Sequence, residues 1–215
     1  MGLREIKKEQ TRERIAAAAW RLFADRGFDQ ATVADVAREA EVSLATVFNY
    51  FNSKEELFYR PLEAFGTRLI DAIRTRDAGE PVLAAFRRFL SESTGLLARI
   101  EAGDPEAMRQ AHTVNRVIAD SPALQARERQ ALARTTDDLA VLLADENGTK
   151  IDDVHAYVVA NALMGVHRAL VEHVRRRILT DDHPTDLAAD VRNLAGHAFA
   201  LLEQGLGDYA PKPEN

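Results

Sequence analysis

Proline and small polar residues cut this chain into segments of helical length, and no other feature constrains its fold as much. Asp104-Pro105 and Ser121-Pro122 each set a capping side chain before a proline suited to the first helical position. Glu80-Pro81 and His183-Pro184 mark two further starts. Thr11 opens a segment whose Ile15, Ala18, Ala19, Leu22 and Phe23 share one face at helical spacing, and Gly27 suits a left-handed stop. Thr32 with Asp35 predicts a capping box for a short helix through Ala40, and Ser43 predicts the cap of another through Phe51. Ser53-Lys54-Glu55-Glu56 predicts a capping box for a long helix to about Arg76. Asn147-Gly148 and Asp152 separate a seventh helix from an eighth. The pattern predicts nine helices, no strand and an all-α fold. Thr46-Val47-Phe48-Asn49-Tyr50-Phe51 is rich in β-formers, but caps flank it closely and no partner strand exists, so a helix is predicted there too.

Several function classes drop out. The chain has no cysteine, which removes disulfides, thiolate metal sites and cysteine nucleophiles and leaves the redox compartment open. The histidines at 112, 155, 167, 173, 183 and 197 never stand four apart. There is no His-Glu-x-x-His, no Gly-rich phosphate loop and no Gly-x-Ser-x-Gly elbow. Neither an enzyme, a metal nor a cofactor is expected. No apolar run approaches the ~20 residues of a membrane span. The charged start Arg4, Glu5, Lys7, Lys8, Glu9 has no apolar signal-peptide core behind it. A cytoplasmic protein without a membrane partner is expected. At 46% hydrophobic and 29% charged residues, a core needs no staples.

Net charge is −6, unevenly spread. Residues 1–54 hold nine basic and eight acidic side chains, against 19 and 26 in the remainder. Arg4, Lys7, Lys8, Arg12 and Arg14 suit a polyanion. With Glu5, Glu9 and Glu13 interleaved, they also describe a solvated, salt-bridged helix start.

Residues 27–58 carry the most specific chemistry. Two short helices joined by Glu41-Val42-Ser43 have the length of a helix-turn-helix. Val33, Val36, Ala37 and Ala40 line one face of the first, Val47 and Phe51 line one face of the second, and Val42 fills the elbow. The second helix then presents Ala45, Thr46, Asn49 and Tyr50 outward. Asn pairs with adenine, while Ala and the Thr methyl pack on a thymine methyl. Tyr50 and Lys54 are placed for phosphates, as are Thr32 and Ser43 at helix starts. Lys7 and Lys8 add charge for the backbone of the duplex. A helical hairpin packed against the rest of the protein has the same pattern.

The run Gly27-Phe28-Asp29-Gln30-Ala31-Thr32-Val33, then Val36-Ala37, Ala40, Val42-Ser43, Thr46 to Phe51, and Ser53-Lys54-Glu55-Glu56-Leu57 resembles the N-terminal signature of TetR-type regulators across residues 11–60. The resemblance implies a three-helix DNA-binding domain (1–54) and a regulatory and dimerisation domain of about six helices (55–207). Residues 208–215 are expected to be a disordered tail. It implies a homodimeric repressor on a near-palindromic stretch of double-stranded DNA, released by an unknown small apolar or amphipathic effector. Two positions depart from the pattern. Glu41 stands where the elbow often has glycine, costing roughly 1 kcal/mol if the backbone there is left-handed. Phe48, itself among the DNA-binding candidates, stands where the family often has a phosphate-contacting tyrosine, and without a hydroxyl that contact is lost or moves to Tyr50.

The helix predicted over 151–179 has two apolar sides, one of small residues. Val158, Ala162 and Gly165 on that side, with Val191, Leu194, Ala198 and Leu201 of the last helix, are the expected dimer interface. An intramolecular bundle uses the same pattern. Effector candidates are Phe86 and Phe89; Met108, His112, Asn115 and Arg116; and Tyr157, Asn161, Met164 and Arg168. They place a few polar groups among apolar ones. The Phe48-Asn49-Tyr50 run and residues 183–205 are similar to actinobacterial TetR relatives with acyl-CoA-like ligand domains. The rival reading is a helical ligand- or protein-binding module without DNA binding.

Overall fold

A computed structural model describes residues 3–92, 95–149, 154–180 and 186–206. Ten helices and no strand occur among them: α1 (Leu3–Arg26), α2 (Val33–Glu39), α3 (Leu44–Tyr50), α4 (Lys54–Arg74), α5 (Val82–Glu92), α6 (Gly95–Glu101), α7 (Pro105–Ala119), α8 (Pro122–Glu146), α9 (Val154–Thr180) and α10 (Leu187–Leu206). The all-α reading holds, with one helix more than the nine expected. The additional helix is the seven-residue α6, which follows α5 closely and has no proline at its start. Helix α1 starts eight residues before Thr11, because Arg, Glu, Lys and Gln at 4–10 are good helix formers. Thr11 bonds back to the Lys7 carbonyl instead of capping. His183-Pro184, Asp152 and the tail 208–215 lie outside the described residues.

The predicted caps form, with one change. Asp104 Oδ1 accepts from the amides of Glu106 and Ala107, and Ser121 Oγ from that of Leu124. Ser53 Oγ accepts from the Glu56 amide, but the Glu56 carboxylate returns to the amide and side chain of Asn52, not to Ser53. The capping box there is therefore displaced by one residue.

The chain packs as two compact units: residues 1–64 with 113–129, and 65–112 with 130–215. This division differs from a single cut after residue 54, since α4, α7 and α8 each pass through both units. In the first unit, Ile15, Ala18, Leu22 and Phe23 of α1 bury against Val36, Ala37, Val47, Phe51 and Phe58. Val117, Ile118 and Leu124, from the facing ends of α7 and α8, complete this core. Ser121 donates to Asp29 Oδ1 at 2.9 Å within the same unit.

In the second unit, α4, α5, α8, α9 and α10 share a core that includes Leu69, Ile73, Phe86, Leu139, Leu163 and Phe199. A smaller cluster joins Ile100, Ala107, Ala111, Ile178 and Leu187. Gly66 lets α4 approach α8 closely, since a Cβ there would lie 2.5 Å from Thr135 Oγ1. The buried Arg76 guanidinium forks onto Glu146 at 2.6 and 2.9 Å. Helix α9 departs from the expectation of no span-like segment. Its length of 27 residues and mean hydropathy of 1.2 over its most apolar stretch would suffice to cross a bilayer. Its Ala156, Val159, Ala160, Leu163, Met164 and Val166 instead fill this core.

Candidate nucleic-acid interface

The turn between α2 and α3 fixes the angle of α3. Ala40 caps α2, Glu41 follows at φ 53, the Glu41 amide donates to Arg38 O and the Val42 amide to Ala37 O. These two bonds and the left-handed residue make a Schellman turn. Glu41 thus occupies a position that glycine fills without strain, as the sequence implied. Ala37 and Val42 meet across the turn, and Ser43 Oγ accepts from the Thr46 amide to start α3. At the other end of α2, Thr32 and Asp35 form the full reciprocal box. Hydrogen bonds from the Thr32 hydroxyl and amide hold the Asp35 carboxyl below its ordinary range.

With Val47 buried, α3 turns Leu44, Ala45, Phe48 and Asn49 to solvent. Leu44 is 45% exposed and Phe48 50%. Of the residues expected outward, Ala45 and Asn49 are exposed. Thr46 and Tyr50 are half-buried, because the Thr46 hydroxyl bonds Ser43 and the Tyr50 ring packs on the core. Leu44 was missed. Its spacing of four from Phe48 was the signal, obscured because both are ordinary core residue types. Thr32 and Ser43 are exposed at the two helix starts. Lys7 and Lys8 are exposed but lie within α1 and not on an extended arm.

Lys54 starts α4, where its Nζ sits 4.3 Å over the Phe28 ring and 3.4 Å from the Asp29 carbonyl. Partial burial lowers its pKa. The ammonium therefore ties α4 to the loop after α1, a role the sequence did not suggest. Trp20, Phe23, Phe28, Phe58 and Tyr59 form a continuous aromatic group beneath that contact.

The effector candidates differ in burial and fall in both units. Phe86, Phe89 and Met164 are buried within the large core of the second unit, with Tyr157 packed against it. Met108 packs on the smaller cluster and His112 is half-buried. Asn161, bonded to its own helix at Tyr157 O, and Arg168 are exposed. Asn115 and Arg116 belong to the first unit. Helical spacing placed these side chains on faces but could not say which faces meet. What the second unit does bring together is Phe65, Phe89 and His167. The Phe65 ring stacks on His167 at 4.1 Å and meets Phe89 edge-on at 5.4 Å. Burial pushes the His167 imidazole down to about 4, so it is neutral at pH 7.

The expected interface residues divide. Val158 is 56% exposed, Leu194 39% and Leu201 70%, beside Val154 at 70%. Ala162, Gly165 and Ala198 are half-buried. Val191 packs on the smaller cluster of its own unit. Arg177 of α9 pairs with Asp186 and Asp190, joining α9 to α10.

Comparison with known proteins matches residues 15–60 to the family of bacterial regulatory proteins of the tetR type. Residues 80–207 match the MftR C-terminal domain. The transcriptional regulator TcmR of Streptomyces glaucescens is 30% identical over 154 residues, covering 71% of this chain and 67% of TcmR. The putative mycofactocin biosynthesis regulator MftR of Mycobacterium tuberculosis is 29% identical over 210 residues, 93% of each chain. Among solved structures, the SmeT–triclosan complex superposes with a TM-score of 0.58 at 18% identity, covering 96% of this chain and 98% of SmeT.

Proposed function

The chain belongs to the TetR family of DNA-binding transcriptional regulators, and we propose that it is a repressor which a small apolar or amphipathic molecule releases from a near-palindromic operator. Family membership makes it a regulator and not an enzyme. The observation that carries the reading is the capped α2–α3 unit, whose outward face holds Asn49 among apolar side chains. An α-helix of this kind fits the major groove, with helix-start amides at Thr32 and Ser43 available to phosphates.

Exposure of Val154, Val158, Leu194 and Leu201 on two adjoining helices supports a homodimer through α9 and α10. Two recognition helices then meet half-sites about one helical turn, ~34–36 Å, apart. For the effector, the cluster of Phe65, Phe89 and His167 offers apolar walls and one neutral hydrogen-bonding ring. An acyl chain with a polar head, the ligand class of the actinobacterial relatives it resembles, suits that mixture. Helix α4 begins with Lys54 and continues through Phe65. Since α4 runs through both units, a ligand beside Phe65 is expected to weaken operator binding through that helix.

A gel shift with the DNA flanking the gene tests the DNA-binding reading, and should give a retarded band. No band at low salt, where phosphate attraction is strongest, would favour a binding module without DNA. Calorimetry of a long-chain acyl-CoA with and without operator tests the effector. Linkage requires operator to weaken ligand affinity by the factor with which ligand weakens operator binding. Equal affinities would exclude that molecule as an inducer.

A further inference from the structure

The recognition helix carries no charged side chain. In the sequence Leu44-Ala45-Thr46-Val47-Phe48-Asn49-Tyr50, Val47 is buried and Thr46 and Tyr50 are half-buried. Four side chains are exposed, Leu44, Ala45, Phe48 and Asn49, and three of them are apolar. Leu44 and Phe48 stand one helical turn apart, so they form a single stripe with Ala45 beside it. Three basic side chains of the same unit have partners within it. Arg21 pairs with Glu39, Arg38 with Asp35, and the Lys54 ammonium rests on Phe28 and the Asp29 carbonyl.

The major groove offers a limited set of features to such a surface. Guanine is read by arginine or lysine on O6 and N7, and α3 has neither. Adenine is read by the amide of asparagine or glutamine, and α3 has one, Asn49. The remaining feature that an apolar side chain can distinguish is the C5-methyl group of thymine. Resting on the reading that α3 enters the major groove, we propose that Leu44 and Phe48 read thymine methyl groups, with Asn49 on an adjacent adenine. Each half-site therefore centres on A·T pairs. Specificity comes from shape and apolar contact, with a single bidentate hydrogen-bonded pair.

The experiment uses the full-length protein and a random duplex library. Selected duplexes are then resynthesised with deoxyuridine in place of thymidine, one position at a time, which removes the methyl and leaves pairing intact. A·T pairs should dominate the core of the enriched half-site. Deoxyuridine at one or two positions per half-site should weaken binding about fourfold each, the worth of one buried methylene-sized group. In Leu44→Ala or Phe48→Ala the matching deoxyuridine should cost nothing further. Both substitutions remove exposed atoms, and the deoxyuridine series on the unmodified protein stands without them. A G·C core, or affinity unchanged by deoxyuridine at every half-site position, would overturn the proposal while leaving DNA binding intact. Failure to enrich any sequence at low salt would overturn both.

Discussion

Replacing Arg76 with methionine would test how the C-terminal end of α4 is held. The Arg76 side chain is 1% exposed and donates from Nε to Glu80 O, from Nη1 to Ile73 O and Glu146 Oε1, and from Nη2 to Glu146 Oε2. Methionine keeps most of the volume but strands the Glu146 carboxylate and takes the side-chain donor from the Glu80 carbonyl, while the Ile73 carbonyl keeps the residue-76 amide. Breaking a buried pair by removing one partner costs about 3–5 kcal/mol. Glu146 is still 19% exposed, so water recovers part of its solvation and the low end, about 3 kcal/mol, applies. For a chain of this size that corresponds to a midpoint lowered by roughly 6–12 °C. The assay is thermal and urea unfolding by circular dichroism at fixed protein concentration. The double variant Arg76→Met with Glu146→Leu should recover most of the loss, since no buried charge is left unpaired. A single-variant loss below about 1 kcal/mol, or a double variant worse than the single, would refute the argument.

Asn49→Ala should cost ~1–3 kcal/mol on the operator and relax preference at one base pair, while Lys54→Ala should weaken all sequences alike. Because Lys54 also braces Phe28 and the Asp29 carbonyl, its variant should lower the melting point as well; equal losses for both variants on random DNA would contradict the assignment. Asp at Leu194, Ala198 or Leu201 should yield monomers in sedimentation, and intact dimers in all three would place the interface elsewhere. The His167 pKa is lowered from 6.5 to about 4 by burial, so between those values the unfolded chain holds a proton that the folded chain lacks. Stability from this group is fully present above about pH 6.5 and declines as pH falls toward 4, by at most ~1.4 kcal/mol per unit. The ring keeps some accessible surface despite its dense surroundings, which should reduce the slope below that bound. His167→Gln should remove it, and an unchanged pH profile would show that His167 is not its source.

Local chemistry was legible wherever the interaction partner lies a few residues away. The Thr32–Asp35 box, the Ser43, Asp104 and Ser121 caps and the left-handed Glu41 turn need only neighbours along the chain. So does the choice of helix over strand at residues 46–50, which the caps decide against propensity, with Phe51 extended at the C-cap. Helix α6 escaped because no proline marks its start and seven residues show little periodicity, although Ser93-Thr94 before Gly95 was a local signal that could have found it.

By itself, the sequence determined the helices, the helix-turn-helix and the family, because periodicity and capping act within a turn or two of chain. It also supplied Asn49 and Ala45 as outward residues. Tertiary structure alone decided which faces meet. It sank Thr46 and Tyr50 halfway, left Leu44 in solvent and drew the Lys54 ammonium onto Phe28. It gave Val117, Ile118 and Leu124 to the core of the DNA-binding unit and stacked His167 on Phe65. Apart from the local Ser43 bond of Thr46, these outcomes depend on contacts between residues tens of positions apart. A helical period says which side chains share a face, but the partner of that face is fixed only when the chain returns to cover it.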